Sequence, residues 1–381
     1  MSQATDRLVG ILVSEKLYAG MPSGRVGHEA IEWYELAGRR YRLTPCFFRI
    51  KDIDPDLRQV KAYIRSGQGY LRRTLPLPPV IHNRAFQRKA SSRRKLMRLV
   101  AGGIRIFNRR NRYPKQKIHD LLMLEPGFWP HLPETLPATP VAFRHMMSRH
   151  ESLIIKPNIG SIGRGIMKLE RAGSRWRLIY PVRRAGKLVL RRVEFSRGLP
   201  RVLRRRLMRR SYIVQQCLPL AEVDGRPFDL RISVQRGEDG LWRVTGLVGK
   251  IAGKGKFVTN VAQGGKVERF ETILERFPSL DGPAAIRDVS EFSLRVARHL
   301  SEHLPDLADI GLDVGIDPCG KPLFIECNCK DQRYSFEKAG MTETWMDTYR
   351  NPIGYAHFLL SNPANPSTGP LIAGTAPAEI R

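Results

Sequence analysis

The chain has 381 residues, with 65 Lys and Arg against 36 Asp and Glu, and a formal net charge of +29. Hydrophobic residues make up 42% and charged residues 27%, which excludes a wholly disordered chain and suits two or three domains or lobes. The charge calls for an anionic partner (nucleic acid, acidic membrane, phosphorylated ligand or acidic protein) without choosing among them.

Residues 7–13 read as a buried strand. Short strands such as Tyr41–Ile50 are expected between 25 and 80, and Leu75–Pro79 reads as a stiff connection. An apolar strand start follows at Val80–Arg84, then a basic helix at 88–98, a strand at Ile104–Asn108 and a helix at Lys115–Leu124. The Pro-rich stretch Glu125–Pro140 reads as a lobe boundary. From Leu153 the pattern is sharper. Leu153–Pro157 and Ile166–Glu170 are strands around the loop Asn158–Gly165, whose Gly160, Gly163 and Gly165 free the backbone to present N–H groups to an anion. The loop lacks the Gly-Lys-Ser/Thr of a Walker A motif, and a strand rather than a helix follows it. Lys156 immediately precedes it and would reach the same phosphates.

Tyr212–Cys217 and Phe228–Val234 are further strands, the second with Asp229 and Arg231 on one face and Phe228, Leu230 and Ile232 on the other. Asp229 and Arg231 would either link to each other or leave the arginine free for a phosphate. Trp242–Ala252 continues the sheet and carries Lys250, and Phe257–Asn260 precedes Gly264 and Gly265. Leu312–Asp317 and Leu323–Asn328 alternate apolar and polar residues around the turn Pro318–Lys321. Centring that turn between Cys319 and Gly320 places Asp313 opposite Glu326, with Asn328 on the same face as Glu326. Facing carboxylates repel unless a cation lies between them, and Asp, Glu and Asn oxygens suit Mg²⁺, most readily when a nucleotide supplies further oxygens. A one-residue bulge would shift this register.

The ordered set Ile155–Ile166, Tyr212–Gln216, Asp224–Arg231, Thr259-Asn260 with Gly264-Gly265, and Gly311–Asp317 with Ile325–Asn328 resembles the ATP-grasp superfamily. It is most similar to the YheC/YheD family of endospore coat-associated ATP-grasp proteins. The resemblance implies an α+β fold, with two α+β lobes gripping ATP after a smaller α/β N-terminal domain. That domain would span 1–80 and the ATP-grasp domain 81–361. Within the latter, the lobe boundary would lie near 125–150, the glycine-flap lobe at 150–212 and the metal-binding lobe at 213–361. It further implies Lys115 (with Lys117 as the lesser candidate) and Lys156 as nucleotide lysines. Gly160, Ser161, Gly163, Arg164 and Gly165 would form the triphosphate cover, and Gln215, Gln216 and Cys217 the adenine hinge. Asp313, Glu326 and Asn328 would be Mg²⁺ ligands, with Arg231 and Lys250 at the transferring phosphate. The implied chemistry is ligation of a carboxylate to an amine or thiol through an acyl phosphate. A spore-associated structural protein that keeps nucleotide binding is the alternative. Ala308-Asp309-Ile310 and Cys329-Lys-Asp-Gln332 depart from the family pattern, and the second departure bears on substrate handling.

The five cysteines, at 46, 217, 319, 327 and 329, show no disulfide spacing, so a reducing, cytoplasmic compartment is expected, with spore-coat association implied by the resemblance. No run approaches the roughly 18–20 apolar residues of a membrane helix, and no secretion signal is expected. The histidines show no metal-ligand or triad spacing. Residues 183–210 hold eleven Arg and one Lys, and Leu199–Arg210 reads as a basic amphipathic helix beside the nucleotide cleft, or as a docking face for an acidic protein or polymer. No aromatic residues interleave with its arginines, which argues against nucleic acid. After Asn362 a disordered tail is expected.

Overall fold

The computed structural model describes residues 8–363 except 161, 162, 185, 186, 262, 263, 279 and 305. Ser161 and all but the first two residues of the expected tail lie outside the described residues.

Three sheets follow one another along the chain. The first comprises β1 (Leu8–Leu12), β2 (Thr44–Phe48), β3 (Ile53–Asp54), β4 (Gln59–Ser66), β5 (Gly69–Pro76), β6 (Val80–Asn83) and β7 (Arg105–Phe107), with α1 (Glu15–Gly20), α2 (Ile31–Tyr41) and α3 (Ala90–Ala101). Its strands β2, β1, β6 and β7 run parallel. Strands of a parallel sheet are covered on both faces, which is why β1 reads as an unbroken apolar run. Val9 and Ile11 pack with Ile31, Tyr34 and Ala37 of α2, while Leu12 packs with Leu96 and Leu99 of α3. Residues 80–107 pair within this sheet, across the division expected at residue 80. Tyr41 ends a helix rather than opening a strand. The stripe Ile31, Tyr34, Ala37 buries one face of α2, but its aromatic content and uncapped start give no helical signal in the sequence. Leu75 and Pro76 belong to β5, which pairs only with β4, an edge position that tolerates proline.

After α4 (Lys115–Leu122), the second sheet comprises β8 (Thr135–Pro137), β9 (Ser152–Pro157), β10 (Met167–Ala172), β11 (Arg175–Arg184), β12 (Lys187–Phe195) and β13 (Tyr212–Gln216), with α5 (Pro140–Arg149) and α6 (Arg201–Arg209). Leu153 and Ile155 of β9 pack with Phe143 and Met146 of α5 and Leu203 of α6. By the two-residue period, Ile154 and Lys156 point to the opposite face. The basic helix α6 therefore lies on the face away from Lys156, not beside it. Arg201, Arg204, Arg205, Arg209 and Arg210 are exposed.

The third sheet comprises β14 (Glu222–Val223), β15 (Arg226–Arg236), β16 (Trp242–Ile251), β17 (Lys266–Glu268), β18 (Asp309–Ile316) and β19 (Pro322–Asn328), in the order β17-β16-β15-β18-β19 with β14 on β15. The chain adds α7 (Phe270–Leu274), α8 (Gly282–His303), α9 (Tyr334–Lys338) and α10 (Thr342–Ser361). One face, with Leu230, Ile232, Leu312 and Val314, packs on Val289, Phe292 and Val296 of α8. The other face is polar. Helix α10 returns to the first sheet, where Tyr349 and Ile353 join the cluster around β1.

A buried carboxylate joins the first sheet to the third. Asp309 Oδ2 accepts from Arg84 (3.3 Å) and Arg333 (2.6 Å), and Oδ1 accepts from Gln235 (2.8 Å). Arg84 also pairs with Glu29 at 2.9 Å. His82 Nε2 lies 3.1 Å from Asp309 Oδ2, with its ring stacked on Phe107, so His82 is a buried joint residue. Burial lowers the His82 pKa to about 4 against the pull of Asp309. Burial pushes Glu29 up, but Arg84, Lys330 and Arg333 outweigh it and hold it at about 2.

Both groups make stability fall with acidification. The unfolded chain protonates His82 near pH 6.5 and Glu29 near pH 4.5, whereas the folded chain resists down to about 4 and about 2. Thermal denaturation from pH 7 to 3 is expected to show a falling midpoint throughout. In His82→Phe the slope between pH 6.5 and 4 is expected to shrink while the fall below pH 4.5 persists. An unchanged slope in the variant would contradict the assignment.

Candidate functional site

The polar face of the third sheet and the Lys156 face of the second line a cleft. Ile154, Ile166, Leu218, Leu220 and Ile325 line it together with Gln215, Gln216 and Cys217. Gln215 Nε2 donates to Thr135 Oγ1 at 2.8 Å, while its buried Oε1 has no hydrogen-bond partner among the described residues, and the N–H groups of Gln216 and Cys217 donate to the carbonyls of Glu134 and Ser152.

Cross-strand pairing assembles the charges. Asp229 faces Lys250, Arg231 faces Asp313, and Asp313 faces Glu326. The Lys250 ammonium sits between Asp229 Oδ1 (2.7 Å) and Asp313 Oδ1 (2.8 Å). Arg231 Nε is 3.5 Å from Asp313, and its Nη1 is 4.0 Å from Asp331. The expected alternative of an Asp229–Arg231 link does not form: same-face neighbours along a strand are about 6.7 Å apart, farther than directly opposed residues. Burial works against charge on Lys250, but Asp229 and Asp313 raise its pKa. Burial likewise opposes ionisation of Asp313, and Arg231 and Lys250 outweigh it and keep the carboxyl low.

The facing of Asp313 and Glu326 agrees with the expectation, by a different route. Near the turn, Val314 pairs with Phe324 and Ile316 with Pro322, a register centred on Cys319. A bulge at Ile325, between those pairs and Asp313–Glu326, supplies the missing residue. Without it, Asp313 would oppose Ile325. Asn328 shares the face of Glu326. Its amide lies 3.1 Å from Glu326 Oε1 and 3.2 Å from Arg231 Nη1 when oriented with nitrogen to the carboxylate and oxygen to the guanidinium.

Lys115 opens α4, and its ammonium meets Glu326 Oε1 at 3.0 Å. Asn158, which the sequence reading left unassigned, holds it there: Asn158 O accepts from the Lys115 backbone N–H (2.9 Å) and Oδ1 from that of Gln116 (3.0 Å). Lys117 is exposed. Lys156 is 9% exposed and makes no ion pair among the described residues. Burial lowers its pKa, against the pull of Glu326 and others. Gly163 (φ +63°) and Gly165 (φ +82°) take the left-handed backbone that glycine permits. Gly163 reaches the cleft, Gly160 lines a neighbouring recess, and Arg164 is exposed. Thr259 Oγ1 donates to Asp229 Oδ2. A Cβ at Gly265 would collide with the Thr259 carbonyl, so that glycine is needed for the approach.

The donor set fits a hard cation shared with a nucleotide. Two carboxylates and an amide converge, and the buried atoms Arg231 Nε and Asp331 Oδ1 have no hydrogen-bond partner among the described residues. Asp331 lies in the Cys329–Gln332 segment that departs from the family pattern, and its Oδ2 accepts from Ser233. Cys327 and Cys329 lie with sulfurs 4.0 Å apart, and that contact together with burial raises the Cys327 thiol, which fits packing rather than attack. Contrary to the sequence reading, three potential ligands do converge elsewhere: His299, Glu302 and His303 on α8 bring ligand atoms within 4.8 Å of one another. His299 Nε2 is occupied by the Leu121 carbonyl at 2.8 Å.

A Cβ at Gly311 would collide with the Asp331 carboxylate and come within 2.8 Å of Arg231 Nη1. Gly311→Ala is expected to lower unfolding free energy by about 1–3 kcal/mol in denaturant titrations. Gly69→Ala, where a Cβ meets nothing within 4 Å, is expected to change it by about 0.5 kcal/mol or less. Equal effects would contradict the packing of Asp331 on Arg231.

No helix among the described residues is long and apolar enough to cross a membrane. The endospore coat-associated protein YheD of Bacillus subtilis (strain 168) is 25% identical to this chain over 337 residues, covering 82% of the chain and 70% of that protein. The endospore coat-associated protein YheC of the same strain is 24% identical over 351 residues, covering 88% and 93%. Among solved structures, the ATP-grasp ligase PsnB complexed with minimal precursor superposes with a TM-score of 0.52 at 15% identity, covering 93% of this chain and 99% of that one. The D-cycloserine synthetase DcsG gives 0.51 at 13% identity, covering 91% and 99%. These likenesses show the α+β ATP-grasp fold. The family described as YheC/D like ATP-grasp matches residues 103–359, and the chain belongs to that family.

Proposed function

We propose that the chain binds Mg-ATP in the cleft between the second and third sheets and spends it to join a carboxylate to an amine or thiol. The observation that carries this reading is Lys156: a buried ammonium with no ion pair among the described residues, facing a cleft whose carboxylates already have cations. A buried lone ammonium is costly unless an anion arrives, and a polyphosphate supplies one.

Lys156 and Lys115 hold phosphate oxygens, and the Gly160–Gly165 loop, with Ser161 and Arg164, covers them. The adenine lies among Ile154, Ile166, Leu220 and Ile325 and meets the backbone of Gln215, Gln216 and Cys217. Asp313, Glu326 and Asn328 hold Mg²⁺, which when bound offsets charge on the phosphates. A substrate carboxylate oxygen attacks the γ-phosphorus, the bond to the β-phosphate oxygen breaks, and ADP leaves. Arg231 and Lys250 face the phosphoryl group as it moves. The nucleophile then attacks the acyl carbon, loses a proton and expels phosphate. The names of the two Bacillus subtilis relatives support a place at the spore coat. They also keep open the second reading, a coat-associated protein that binds nucleotide without turnover. The exposed α6 arginines suit an acidic protein or polymer as a further partner, with nucleic acid disfavoured by the missing aromatics.

Isothermal titration of the intact chain with Mg-ATP, followed by ADP release in the presence of paired carboxylic acids and amines or thiols, tests this. Lys156→Met and Glu326→Ala are each expected to weaken binding at least about tenfold, or ~1.4 kcal/mol. Absence of binding by the parent chain would overturn the proposal. Binding without ADP release for any pair would favour the second reading.

A further inference from the structure

A second recess opens beside the same metal-type ligands. Glu326, Asn328 and Lys115 line it together with Phe86, Arg112 and Lys330. Arg112 Cζ stands 5.2 Å from the centroid of the Phe86 ring and Lys330 Nζ stands 5.3 Å from it. Two cations thus share one aromatic ring. Each gains modestly from the ring, but they repel each other.

No ion pair among the described residues offsets that repulsion. Among the described residues neither Arg112 nor Lys330 makes an ion pair. Glu29 and Asp309, the acids that act on Lys330 through space, are engaged by Arg84 and, for Asp309, also by Arg333. Lys115 in the same recess is already matched by Glu326 at 3.0 Å. The uncompensated charge is therefore confined to the pair over Phe86.

The geometry points to an anion subsite: Arg112 and Lys330 receive a second negatively charged group, carboxylate or phosphate, on a substrate whose reacting end lies at Asn328 and Arg231. This rests on the ligase reading above and names the substrate class it implies, an acid with two anionic ends. Arg112 supplies a planar fork of N–H donors, Lys330 a point charge, and the Phe86 ring an apolar wall for the methylenes between the two ends. The recess joins residues of the first unit's end (Phe86, Arg112) to the segment after β19, so only the assembled chain forms it.

The test is calorimetric titration of the intact chain, saturated with Mg-ADP, with glutarate, 3-phosphonopropionate and butyrate. At least one of the two dianions is expected to bind about tenfold or more tighter than butyrate, and which one it is separates carboxylate from phosphate as the natural group. Lys330→Gln and Arg112→Gln are each expected to erase that preference while leaving Mg-ADP affinity within about twofold. The Arg112 variant keeps the test valid if the Lys330 variant folds poorly. Equal binding of all three acids, or a preference that survives both substitutions, would overturn the subsite while leaving the nucleotide site standing. Failure of the parent chain to bind Mg-ADP would overturn both.

Discussion

The ammonium of Lys250, held between Asp229 and Asp313, is the contact on which the cleft depends. Its two carboxylates are buried on one face of the third sheet, where an uncompensated charge costs several kcal/mol. With Lys250 in place, Asp313 remains ionised and also receives Arg231. Arg231 is then steadied on its far side by Asp331, in space that Gly311 leaves open. Lys115 completes the row at Glu326. Charge alternates across neighbouring strands, and this lets a sheet interior hold groups of the kind that handle phosphate.

The same logic joins the units. Asp309 takes Arg84 from the end of the first sheet and Arg333 from the segment before α9, and Gln235 closes the third side. Arg84 lies 225 residues from Asp309 in the chain. Arg84 also donates to the Asp331 carbonyl, next to Lys330, so the recess over Phe86 adjoins that joint. The carboxylate-rich face and the cation-rich recess are two sides of one polar interior.

What the sequence made legible was local. The alternation in Phe228–Val234 correctly separates Asp229 and Arg231 from the apolar face, and the hairpin reading pairs Asp313 with Glu326. That pairing holds because a turn centre displaced by half a residue and a bulge at Ile325 cancel, and no local signal announces either. Helix α2 was hidden because its buried stripe is aromatic and its start uncapped. Asp309, Asp331 and Asn158 were not recognised as organising residues because their partners lie far from them in the chain, 225 residues for Arg84, 98 for Ser233 and 42 for Gln116. The basic helix was legible as a helix, but its side of the sheet depends on Leu203 packing beneath α5's neighbours.

Three groups of cations stand out within the net charge of +29. Some cations are matched by buried acids, a band on α6 faces outward, and buried Lys156 and half-buried Arg112 and Lys330 line the cleft and its neighbouring recess without an ion pair among the described residues. The third group ties the charge to function. A crystal structure of the intact chain with Mg²⁺ and a non-hydrolysable ATP analogue tests this most directly. The account predicts the metal held by Asp313, Glu326 and Asn328, a phosphate oxygen on Lys156, and the adenine against Gln215–Cys217. A nucleotide bound elsewhere, or bound in the cleft with Lys156 turned away from every phosphate, would contradict it.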